Sequence, residues 1–140
     1  MSDKGKIIEI MKRVKWGASF ATCDGEKPDV RIVSPFIEDD LNIQIATFTD
    51  SNKVKQIKNN PRIALLFIDD DYNQVIVYGE AVIVENKNEK RILWEKRKAS
   101  LSRYFPEGYE SPDFCLLRID IDYIKWEEAD TFETKTYTPE

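Results

Sequence analysis

Residues 62–85 read RIALLFIDDDYNQVIVYGEAVIVE, two apolar runs on either side of a short acidic segment. Ile, Leu, Val, Phe and Tyr dominate 62–69 and 74–85, and such side chains suit a pleated, half-buried surface. Asp69, Asp70, Asp71 and Asn73 between the runs are turn formers, because short polar side chains hydrogen-bond to their own backbone. The stretch therefore predicts two adjacent antiparallel strands. Gly79, in the middle of the second, marks a bulge or bend. The acidic turn lacks the Gly and the distal Glu of a calcium-binding loop, so it reads as a polar turn, and no metal site is expected.

Upstream of this pair, strand patterning recurs over 17–23 and 30–38, joined by the turn Asp24-Gly25-Glu26-Lys27-Pro28, which predicts a hairpin. The acidic turn Glu38-Asp39-Asp40 leads to a strand over 42–49, and a short helix begins at Ser51 and stops at Asn59-Asn60-Pro61. Ile7, Ile8, Met11 and Val14 recur at helical spacing, so 3–15 is an amphipathic helix placed to close one end of a barrel. Downstream, a helix over 88–103 offers Ile92, Leu93, Lys96 and Leu101 to the core and ends at Pro106 and Gly108. Cys115, Leu117, Ile119 and Ile121 then alternate with Arg118, Asp120 and Asp122, which predicts a half-buried last strand over 114–126. The polar tail beyond Glu128 is expected to be weakly ordered unless a partner subunit covers it. The pattern is mainly β with helices: six strands, mostly antiparallel, in a closed or nearly closed barrel with flanking helices.

A chain of 140 residues, 41% hydrophobic and 34% charged, is one ordinary domain over 1–140. Its net charge of -5 disfavours a nucleic-acid partner. The Lys-rich stretch 87–103 is interrupted by Glu89 and Glu95 at helical spacing and reads as a solvated helix face. Cys23 and Cys115 stand in no metal-ligand or redox-pair spacing and are expected to be reduced thiols. With no run of about 18 apolar residues, no membrane partner is expected and the chain reads as cytoplasmic. The sequence has no histidine, which excludes a His base, a Ser-His-Asp triad, His-ligated zinc and proximal-His haem. Chemistry must come from another acid or base, or from a bound cofactor.

One stretch converges on an anion. In Ile45-Ala46-Thr47-Phe48-Thr49-Asp50-Ser51-Asn52-Lys53 a strand ends in hydroxyl side chains, and a helix opens with a lysine in its first turn. Helix N–H groups, the positive end of the helix dipole, hydroxyls and Lys53 suit a phosphate. The plainer alternative is that Ser51 only caps the helix and Lys53 is a surface lysine. Arg31 supplies a second cation with a fork of donors, or else pairs with a carboxylate across the ladder.

Arg31-Ile32-Val33, the run from Thr47 through Ser51-Asn52-Lys53 to Gln56-Ile57-Lys58-Asn59-Asn60-Pro61-Arg62-Ile63-Ala64-Leu65-Leu66-Phe67, and Gln74-Val75-Ile76-Val77-Tyr78-Gly79-Glu80-Ala81 resemble the pyridoxamine 5'-phosphate oxidase-like FMN-binding split-barrel family. Order and spacing match over about 20–85. Leu93-Trp94, Tyr104-Phe105-Pro106-Glu107-Gly108 and Trp126 are similar to its general stress protein branch.

The resemblance implies a split β-barrel homodimer holding FMN between its subunits. It implies that Arg31, Ser51 and Lys53 bind the flavin phosphate, with Thr47 close to the ribityl chain or phosphate. Backbone at Ile32, Val33 and Ser34 would lie along the isoalloxazine edge, and Gln74 and Trp126 would approach the ring from the neighbouring chain. For Trp126 the alternative is an aromatic that closes the end of the last strand. Asn52 stands where the oxidases often carry a further Arg, and Asp50 puts a carboxylate next to the phosphate position. Phe36 falls where the oxidases present a lysine to substrate, and their C-terminal Arg-x-His element is absent. The implied function is a flavin-dependent oxidoreductase of unknown substrate, not a true pyridoxamine-phosphate oxidase. A non-catalytic flavin-binding or stress-associated protein is the alternative, and a deazaflavin- or haem-handling relative a more distant one.

Overall fold

The computed structural model describes residues 1–140. The elements follow as α1 (Asp3–Arg13), β1 (Ala18–Asp24), β2 (Lys27–Val33), β3 (Phe36–Ile37), β4 (Ile43–Phe48), α2 (Asn52–Asn59), β5 (Arg62–Ile68), β6 (Gln74–Val84), α3 (Lys87–Leu101), β7 (Phe114–Glu127) and β8 (Lys135–Tyr137). All strands join one antiparallel sheet in the order β2-β1-β5-β6-β7-β4-β3, with β8 paired to β7.

The expected barrel of six strands is corrected to eight at two places. The apolar run over 30–38 is broken at Ser34-Pro35, and Phe36-Ile37 pairs with β4 at the opposite edge of the sheet. Proline has no N–H to give a ladder, which is why the strand cannot run on. Three Cα steps of about 3.8 Å then carry the chain from one edge to the other, so the sheet must curl until its edges nearly meet. They meet through this connector and not through hydrogen bonds, which leaves a split beside β2. The second correction is the tail, where Lys135–Tyr137 returns antiparallel to Ile124, Lys125 and Trp126.

The inner row of each strand forms the main core, including Phe20, Ile43, Ile45, Leu65, Phe67, Val75, Val77, Leu117 and Ile124. Ile7, Ile10 and Met11 of α1 join it, and Val54 and Ile57 bring in α2. A smaller cluster lies on the other face of the sheet, where Leu93 and Leu101 of α3 pack with Val84, Phe105, Phe114 and Leu116. This explains a departure from the expected alternation on β7: α3 covers its outer face, so its first four residues are all buried. Ile92 and Lys96, expected in the core, are exposed, and Trp94 packs against Phe114 instead.

Gly79 sits where the β6–β7 register shifts, as its position in the sequence predicts. Tyr78 faces Tyr123 and Gly79 faces Ile121, so Asp122 is the extra residue. Core positions on β7 accordingly switch from Cys115, Leu117 and Ile119 to Ile124 and Trp126. No helix is long and apolar enough to cross a membrane.

Candidate functional site

The split in the barrel is a cavity of about 470 Å³, walled by Ile32, Val33 and Ser34 at the end of β2 and by Ala46, Thr47 and Phe48 of β4. Phe36 and the end of α3 with its following loop, Leu101 to Phe105, complete the apolar wall, and Lys53 of α2 closes one end. Five of the residues singled out in the sequence, Ile32, Val33, Ser34, Thr47 and Lys53, therefore share one cavity. Sequence reasoning gave no role to Phe48, Tyr104 and Phe105. Phe48 and Phe105 pack ring to ring at 4.8 Å; the signals in the sequence were the Tyr-Phe-Pro-Glu-Gly stretch for Tyr104 and Phe105, which carries no chemistry of its own, and the place of Phe48 within the run 45–53.

Ser51 is placed at the N-cap of α2 but its side chain caps nothing. Ser2 and Asn86 do accept from the first turns of α1 and α3, so the difference belongs to this helix. The Ser51 hydroxyl is buried without a hydrogen-bond partner. Such a group costs free energy until something pairs with it. Lys53 is half-buried and joins none of the chain's ion pairs, while burial and then the positive charge of Arg31 push its pKa down. Lys53 itself meets no carboxylate, and a cation held near another cation is an arrangement that an anion would relieve. Thr47 is only 5% exposed and pairs across the ladder with Cys115, whose thiol is pushed up in pKa by burial.

Arg31 is held differently from a free phosphate fork. One terminal nitrogen donates to the Phe20 carbonyl at 3.3 Å and to Thr22 Oγ1 at 2.6 Å, and the other to Asp29 at 3.0 Å and Gln56 Oε1 at 3.1 Å. Gln56 in turn donates to Asp29, and this hydrogen bond is the first cause of that carboxyl's lowered pKa, with the Arg31 charge also lowering it. Thr22, Asp29 and Gln56 thus orient Arg31 from β1, β2 and α2, a network the sequence did not disclose because Thr22 and Gln56 come from other elements, 9 and 25 residues away from Arg31. Arg31 brings charge to the site more than vacant donors.

Asn52 is exposed and lines no part of the cavity. Trp126 lies at the other end of β7 from Cys115, roughly 35 Å of strand away at about 3.3 Å per residue, and Gln74, at the start of β6, pairs there with Glu127. Gln74 is half-buried and donates to Glu127 at 3.3 Å. Trp126 is 1% exposed, part of the chain's own core, and lies under the Lys135 ammonium of β8 at 4.7 Å. Within this chain its placement is that of the aromatic that closes the strand end. The Asp69 carboxylate accepts from the backbone of Asp71 and Asn73, the polar turn read from the sequence.

Comparison with known proteins places this geometry. General stress protein 26 of Bacillus subtilis (strain 168) is 30% identical over 128 residues, which are 87% of this chain and 86% of that protein. The crystal structure of general stress protein 26 from Bacillus anthracis str. Sterne superposes with a TM-score of 0.79 at 27% identity, covering 99% of this chain and 100% of that one. A heme binding protein from Mycobacterium smegmatis shares the fold at 13% identity and a TM-score of 0.75, covering 99% of this chain and 59% of that one. The pyridoxamine 5'-phosphate oxidase family model matches residues 18–126, the span that builds the sheet and the cavity, and the chain belongs to that family.

Proposed function

We propose that this chain binds FMN in the split of its barrel and works as a flavin-dependent oxidoreductase on a substrate other than pyridoxamine phosphate. The observation that carries the reading is the half-buried Lys53, which joins no ion pair and lines an apolar cavity, with the unused Ser51 hydroxyl two residues before it at the N-cap of α2. A phosphate fits those donors, and a flat ring fits the wall of Val33, Phe36, Phe48 and Phe105. Lys53, Ser51 and the first N–H groups of α2 would hold the phosphate, with Arg31 adding charge and Thr47 lying next along the cavity. Bound flavin would supply hydride and electron transfer, and the chain's part is to position it and exclude water.

A homodimer fits the outer face of the sheet. Val30, Ile32, Ala64, Leu66, Ile76 and Tyr78 share that face, Val30 and Ile32 each 63% exposed, and none of the helices packs over them. A contiguous apolar face of this kind is what a protein interface requires. Ile32 belongs to this face and also lines the cavity, so a second copy docked there would border the bound ring. Purified protein should carry a flavin absorbance spectrum, or acquire one with FMN, and NADH or NADPH should bleach it. A protein that takes up FMN but is reduced by neither would be the non-catalytic flavin binder.

A further inference from the structure

A second cavity, of about 540 Å³, opens on the other side of α2, between its C-terminal half, the start of α3 and the loop before β7. Its floor is apolar, made by Val54, Ile83, Val84 and Phe114, and its rim carries Lys58, Lys87 and Lys90. None of these lysines has a carboxylate partner. The ion pairs of α3 run elsewhere, from Lys96 and Arg97 to Glu38, from Lys98 to Glu95 and from Arg118 to Glu89. Glu85 and Glu110 also line the cavity, so its charged rim sums to one net positive charge.

We propose that this cavity is a binding site for a small organic monoanion, a carboxylate with an apolar body. The ammonium groups of Lys58 and Lys90 would receive the carboxylate, from α2 and from the first turns of α3, where the helix dipole also favours negative charge. The apolar body would rest on Val54, Val84 and Phe114. The two glutamates select against dianions, which would meet their repulsion. Because α2 carries Lys53 towards one cavity and Val54 and Lys58 towards the other, the two sites share a helix while using different side chains. The inference goes beyond the flavin reading and does not depend on it.

Benzoate is the probe. It is titrated into ¹⁵N-labelled protein at saturating FMN and again without FMN, and amide shifts are followed. The expected perturbations cluster at 54–58, 83–90 and 109–115 in both titrations. The Lys58→Ala/Lys90→Ala double variant should bind benzoate about ten-fold more weakly, and Lys55→Ala on the exposed face of α2 should bind it unchanged. Phosphate at the same concentration should leave these amides still. Shifts confined to the cavity of Ile32, Phe36 and Phe105, or equal affinity in the double variant, would overturn the proposal.

Discussion

Lys53 tests the difference between a charged surface residue and a ligand-binding one. Replacing it by Ala should remove a charge-assisted contact to the FMN phosphate worth about 1.5–3 kcal/mol, roughly ten- to hundred-fold in affinity, while riboflavin binding stays unchanged. Equilibrium titration with both ligands checks this. The pH dependence has a definite sign. In the free protein burial and Arg31 lower the Lys53 pKa, and a bound phosphate would raise it. FMN affinity is then full below the lowered value and falls as pH rises through it, with proton uptake on binding in the alkaline range. Calorimetry in buffers of different ionisation enthalpy should detect that uptake, and a flat alkaline profile would count against the role. Phe36 bears on the substrate. The cation nearest to its ring, Arg97 at 4.9 Å, already donates to Glu38 at 3.2 Å and is not free for a substrate phosphate. Turnover of pyridoxamine phosphate should therefore stay well below about 1 per second, followed as pyridoxal phosphate formation.

Among the elements, β6 was the most legible in the sequence and the edges of the sheet the least. A strand interior announces itself by side-chain type, and Gly79 announced its bulge because no other residue fits there. A Cβ at 79 would lie 2.0 Å from the Asp120 carbonyl oxygen, so Gly79→Ala should cost about 2 kcal/mol or more, read as a lowered urea midpoint. An unchanged midpoint would mean that β7 can slide past the bulge. The break at Ser34-Pro35 was hidden because 30–38 keeps a strand-like composition throughout, and only pairing partners remote in sequence decide that Phe36-Ile37 changes edge. The tail was hidden for the opposite reason, since Lys135–Tyr137 is polar and gains its order from β7. In the site, Ser51 and Lys53 were legible because a helix start has a local signature. The aromatic wall and the Arg31 network were not, because they assemble from β1, β4, α2 and the loop after α3.

At the scale of the whole molecule, a curled sheet with one wall open to a cavity and one apolar outer face has two surfaces to satisfy. Leu66 lies in the middle of that outer face, between Ser19 and Ile76 on the neighbouring strands. Light scattering should give twice the 16.4 kDa chain mass for the native protein and the single-chain mass for Leu66→Glu, which would bury like charges across a two-fold interface. A native monomer with FMN fully bound would remove the shared site while leaving the phosphate end intact. The most direct measurement of the central claim is a parallel titration of the native protein with FMN and with riboflavin, read from the flavin absorbance and fluorescence. The two ligands differ only in the phosphate, so FMN should bind at least about ten-fold more tightly, at one per chain. Equal affinity for the two, or no binding of either, would contradict it.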